Sequence, residues 1–149
     1  MNQGLFVAIF TILFKLIIFN KINSKQTFLK TIRANNQIAK NWKMQTAVGG
    51  GPVLVQYGEI AIANDFEMKF AGKAIDDKHP RSAIGYTADS KLVILAIEGR
   101  RPGIAEGATL KETAQLLIEL GCIEAINLDG GGSSCLLING KQTITPSDK

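Results

Sequence analysis

The residues best able to do chemistry sit in three short strings. In INLDGGGSSCLLING, Asp129 closes an apolar run and is followed by Gly130, Gly131 and Gly132, then by Ser133 and Ser134. A carboxylate just past a strand end can point into a cleft instead of a core. Glycines lack a Cβ, so a substrate can press against the backbone there, and successive N–H groups can turn inward as an anion-binding nest. The serines add hydroxyls. In HPRSAIG, His79 and Arg81 flank Pro80 at the entry to a strand, and arginine is a planar fork for phosphate. In IEGRRPG, Glu98, Arg100 and Arg101 follow an apolar run. Loops meeting at one sheet edge would make these groups a site for anionic sugars. Taken singly, they have plainer readings: Asp129 as a turn residue in a solvated hairpin connection, and the others as solvated loop charges. The glycine run is not a P-loop, because no Lys-Ser/Thr pair follows it.

Short strands and tight turns must position these groups. Residues 53–56 and 59–62 read as the arms of a hairpin with Tyr57-Gly58 as its turn. Residues 64–78 are polar and poorly periodic, which predicts a loop with one short element. RSAIGYTADSKLVILAIEG is a second hairpin, turning at Ala88-Asp89-Ser90, and the apolar run 91–98 predicts a central buried strand. GATLKETAQLLIELG is a helix. Thr109 and Glu112 form a capping box, in which each side chain satisfies a backbone N–H at the helix start. Leu110, Thr113, Ala114, Leu117 and Leu120 recur on one face, and Gly121 is the expected terminator. CIEAINL and CLLI read as strands on either side of the glycine loop, and Asn139-Gly140 predicts a hairpin into residues 141–145. The fold class is α/β of the α+β kind: a mixed β-sheet of hairpins and a strand–helix–strand unit, with the helix packed on one face.

Composition narrows the function. With 149 residues, 46% hydrophobic and 20% charged, the chain has room for one globular core. All 13 acidic residues lie at or after Glu59, while seven of the 17 basic residues precede it. The folded body is therefore mildly acidic, which argues against a nucleic-acid groove. Cys122 and Cys135 fall near opposite ends of a predicted hairpin, too far apart to bridge, and are expected as free, mostly buried thiols. The sole histidine, His79, leaves no zinc set. Neither a metal nor a cofactor is expected.

Residues 1–41 stand apart as an apolar and basic leader. The stretch 4–19 is almost wholly apolar, a little short for a spanning helix of ~20 residues and longer than most signal-peptide cores of ~7–15. A signal, an anchor, a membrane-surface or buried helix, and a segment outside the functional domain all remain open. Its helical look and lack of period-two alternation predict that it does not serve as a strand.

Four strings, HPRSAIGYT, EGRRPGIAEGATLKETAQLLIELG, INLDGGGSSCLLING and TPSD, resemble the phosphodiester glycosidase family in order and spacing, as does AVGGGPVLVQYG upstream. The resemblance covers residues 42–149. It implies hydrolysis of a sugar-1-phosphodiester of the N-acetylglucosamine type, on an envelope or exported glycan. Asp129 and Glu98 would then be catalytic. His79, Arg81, Arg100, Gly130, Gly131, Gly132, Ser133 and Ser134 would bind the substrate. The implied partner is a sugar phosphate or phosphoglycan and not a nucleic acid, with membrane contact through residues 4–19. The implied location is exported or membrane-anchored. Two departures stand out. The family's Asn-Gly-Gly-Phe-Phe-like strand has no counterpart in residues 1–41, and a motif that normally follows TPSD is missing. Both suggest a domain clipped at each end. The alternatives are a phosphoglycan-binding module without turnover and an inactive remnant.

Overall fold

The structure is a computed structural model, and it describes residues 5–10, 48, 50–62, 64, 76–89 and 91–148. Its elements are β1 (Leu5–Phe10), β2 (Val53–Gln56), β3 (Glu59–Ile60), β4 (Arg81–Thr87), β5 (Leu92–Ile97), α1 (Leu110–Glu119), β6 (Cys122–Leu128), β7 (Leu137–Ile138) and β8 (Lys141–Gln142). Six strands form one sheet in the order β1-β5-β4-β6-β2-β3, and β7 and β8 pair separately. Every ladder is antiparallel. Because β5 and β6 both run against β4, they run parallel to each other, and the chain crosses between them through α1. This is the strand–helix–strand unit, with β4 inserted in its middle.

β4 shows how the sheet chooses its faces. Its residues alternate between buried and half-buried, as expected of a strand whose side chains point to opposite faces in turn. Ala83 pairs with Leu95 of β5 and with Asn127 of β6. On the helix side the core contains Leu54, Val55, Ala83, Val93, Leu95 and Ala125, met by Leu110, Ala114 and Leu117 of α1. α1 is fixed locally at both ends. The Glu112 N–H donates to Thr109 Oγ1 at 3.0 Å, and the Thr109 N–H donates to Glu112 Oε2 at 2.8 Å. Gly121 takes a positive φ of 83°, where its N–H donates to the Ile118 carbonyl. Thr113, buried among the leucines, satisfies its hydroxyl on the Thr109 carbonyl.

Several expectations need correction. Leu5–Phe10 is a strand, laid along β5 from Leu5↔Ile97 to Phe10↔Leu92. An apolar run of this length does not distinguish strand from helix by periodicity, and β5 has a free ladder on that side for it to fill. The rest of 4–19 lies outside the described residues, as do most of 64–78 and Ser90 of the second turn. β5 is second from one end of the sheet, with Leu92 and Ile94 only half-buried; β4 and β6 are the central pair. The strand expected over 135–138 shortens to Leu137–Ile138, and its hairpin stands off the main sheet. Both cysteines are free, but only Cys122 is buried, and Cys135 is exposed.

Candidate functional site

The registers decide where the polar strings meet. Arg81 at the start of β4 pairs with Ile97 at the end of β5, and Ser82 pairs with Leu128 at the end of β6. Residues 79–81, 98–101 and 129–134 therefore leave the sheet at the same end. β2 adds a fourth strand end there. The Gly51 N–H donates to the Asn127 carbonyl at 2.7 Å, and Asn127 Nδ2 donates to the Gly51 carbonyl at 3.0 Å. The expected convergence thus includes His79, Arg81, Glu98, Arg100, Asp129, the three glycines and both serines.

Each group has a distinct environment. Asp129 is exposed, and its carboxylate has no hydrogen-bond or ion-pair partner among the described residues. Arg81 is buried. Its Nε donates to the Ala108 carbonyl at 2.9 Å and its Nη2 to the Asp77 carbonyl at 3.1 Å, so its fork braces two loops. Burial, with Arg100 nearby, lowers its pKa; an arginine nevertheless keeps its charge in a protein. His79 is bonded through its backbone to Ala108 in both directions, and its Nδ1 is buried with no partner among the described residues. Burial first, then Arg81 and Arg100, hold its pKa below the ordinary value, against a weaker pull from Asp77. The imidazole is neutral at pH 7 and offers a lone pair instead of a charge. Arg100 is half-exposed and sits at a φ of 57°.

Glu98 is different. Its side chain is only 11% exposed, and Oε2 lies 3.1 Å from Arg101 Nη1. Its other oxygen, Oε1, accepts the Thr145 N–H at 2.5 Å. Both oxygens are engaged, one by a cation and one by the chain's C-terminal segment.

The glycine loop packs on the strand that carries Arg81. The Gly131 N–H donates to the Pro80 carbonyl at 3.2 Å. A Cβ on Gly130 would stand 2.8 Å from that same carbonyl oxygen, so only glycine fits. At Gly132 an added Cβ would fall on the Asp148 carboxylate. The space beside Gly131 is open. Among the described residues, the Gly132 and Ser133 N–H groups have no backbone acceptor, whereas the Ser134 N–H closes a turn onto Gly131. Of the loop glycines read as a nest, Gly131 thus has its N–H turned to Pro80 instead.

Asp148 was not among the residues singled out from the sequence. The N–H groups of Ser147 and Asp148 both donate to the Gly132 carbonyl, at 2.8 and 3.0 Å. Asp148 Oδ1 lies 4.0 Å from Arg100 Nη1. The string TPSD was visible, but nothing in it says that it returns over the glycine loop.

Carboxylates, arginines, a neutral histidine and a glycine–serine loop thus lie at one end of an antiparallel sheet and make it polar. A family model for phosphodiester glycosidase matches residues 18–149, and the chain belongs to the phosphodiester glycosidase family. A prophage-derived protein of Bacillus subtilis, YomE, is 44% identical over 71 residues, 48% of this chain and 11% of that protein. The bovine N-acetylglucosamine-1-phosphodiester alpha-N-acetylglucosaminidase is 38% identical over 68 residues, 46% of this chain and 12% of the enzyme. The catalytic domain of the zebrafish enzyme, solved in a form auto-inhibited by its pro-peptide, superposes with a TM-score of 0.56 at 29% identity, covering 68% of this chain and 35% of that one. The chain thus matches about a tenth of the length of these curated relatives.

Proposed function

We propose that this site hydrolyses a sugar-1-phosphodiester, with an N-acetylglucosamine-type sugar on an exported or envelope glycan. The observation that carries the reading is the shared sheet end. It brings an exposed, unpaired Asp129, a glycine–serine loop and two arginines to one end of the sheet, and the family match supplies the bond type. Water attacks the anomeric carbon, the C1–O bond breaks, and the phosphate leaves with the bonding electrons. Phosphate leaves readily, so the reaction depends less on a general acid than on a base or nucleophile at carbon and on charge stabilisation at phosphate.

Asp129 is the group at the anomeric carbon. Arg100, half-exposed, holds the phosphate, with Arg81 bracing the loops behind it and the neutral His79 accepting a hydrogen bond. The exposed Ser133 hydroxyl is a further donor for the anionic oxygens, since donors already in place stabilise developing charge. Among the described residues no helix is long and apolar enough to cross a membrane. The exported setting rests on the family resemblance.

The test is turnover of a synthetic sugar-1-phosphodiester by the wild-type chain and by Asp129→Asn. Loss of a positioned acid–base group costs ~10²-fold or more, with the melting temperature nearly unchanged. Equal turnover by the two proteins would take Asp129 out of the mechanism.

A further inference from the structure

Glu98 is poorly placed to touch a substrate and well placed to hold something that can. One oxygen is paired with Arg101 and the other accepts the Thr145 N–H, 47 residues away in sequence. From Thr145 the chain runs three residues to Asp148. Ile144, just before the tie, is buried, and beyond it the Ser147 and Asp148 N–H groups lie on the Gly132 carbonyl. The Asp148 carboxylate then rests against the Cα of Gly132, in the space a side chain there would need. It stays 59% exposed and 4.0 Å from Arg100. A carboxylate that only braced the fold would be expected to accept N–H groups. This one has no hydrogen-bond donor among the described residues, only the distant guanidinium, and it fronts the loop that carries Asp129.

We propose that Asp148 is a substrate-contacting carboxylate that accepts hydrogen bonds from the sugar hydroxyls, and that Glu98 is a positioning residue acting through the Thr145–Asp148 segment. The assignment of a sugar ligand rests on the glycosidase reading above; the strut itself does not. A carboxylate beside the phosphate would repel it, so Asp148 belongs on the hydroxyl side of the cleft, with Arg100 marking the border. Gly132 follows Asp129 by three residues, at about 3.8 Å per Cα step, so Asp148 rests on the same short loop that Asp129 opens.

Two measurements test this on the full chain. The first is amide hydrogen exchange of Ser147 and Asp148 in wild type and Glu98→Gln. If Glu98 is the strut, exchange at these two amides quickens about tenfold or more while Leu95 and Ala125 in the core keep their rates. Unchanged exchange at 147–148 would overturn the strut, whatever the protein's activity.

The second is steady-state kinetics on a synthetic sugar-1-phosphodiester for Asp148→Asn, Glu98→Gln and the double variant. Residues acting as one unit give non-additive losses. The expected result is a KM raised about tenfold in each single variant, no further rise in the double, and kcat reduced much less than by Asp129→Asn. Multiplying losses in the double variant, or an unchanged KM in Asp148→Asn, would overturn the positioning of a sugar contact. If wild type gives no turnover, binding of the same diester to wild type and Asp148→Asn by calorimetry replaces the kinetics. Equal binding, or none to either, overturns the sugar contact, and absent turnover counts against the glycosidase reading while leaving the exchange result standing.

Discussion

At Gly132 a single missing methyl group decides what can sit in the site. Gly132→Ala would drive its Cβ into the Asp148 carboxylate, so that side chain must swing away from the loop. Turnover should fall ~10-fold or more, a size in keeping with the sensitivity of catalysis to small misplacements. Gly131→Ala meets open space but must hold a φ of 119°, so it should act mainly through backbone strain, as lower stability of the loop. Parallel rate and melting measurements on the two variants separate these effects; equal rates for Gly132→Ala and wild type would contradict the packing.

His79 makes a second residue-scale prediction. Its folded pKa lies below its ordinary 6.5. Below that value the unfolded chain takes up a proton that the folded chain resists, so the contribution is present above pH 6.5 and fades as pH falls through it. The loss of stability between pH 7 and pH 5 should be smaller in His79→Asn than in wild type, by denaturant titration at each pH. Glu124 works in the opposite direction, because burial raises its pKa, so the difference between the two proteins is the informative quantity.

The elements differ in how far their reasons are local. α1 was legible because both caps are written within a few residues: Thr109 and Glu112 at one end, Gly121 at the other. Thr109→Ala should therefore cost about 1 kcal/mol, measured by chemical denaturation, and Leu117→Ala, fully buried against the sheet, about 2–5 kcal/mol. A Leu117→Ala loss under 1 kcal/mol would mean that α1 is not seated as described. The Tyr57-Gly58 turn was legible for the same reason, since both residues take the positive φ that a tight hairpin demands. Sheet order was not. That β4 lies between β5 and β6 depends on ladders between residues some 40 apart in sequence, and no local pattern encodes it. β1 was misjudged because its apolar run fits either a helix or a strand, and the partner that decides, β5, lies about 90 residues away.

At the scale of the molecule, the candidate site was legible as a set of residue types and not as an arrangement. Asp129, the glycines and the arginines could be named from their strings, and the registers of three antiparallel strands brought them to one end. Two contacts were not foreseeable. Nothing in the string around Glu98 says that its oxygens are engaged by Arg101 and the Thr145 N–H. Asp148 looked like the tail of a motif until it was found against Gly132. The Glu98 tie spans 47 residues, and no local pattern in either string encodes it. The remaining question for the whole protein is which bond the assembled site breaks. Cleavage of a synthetic sugar-1-phosphodiester in water enriched in heavy oxygen answers it, read by mass spectrometry on the released phosphate monoester. Attack at the anomeric carbon leaves that product unlabelled, which is the result expected here. One heavy oxygen in the phosphate would show attack at phosphorus and contradict a glycosidase mechanism.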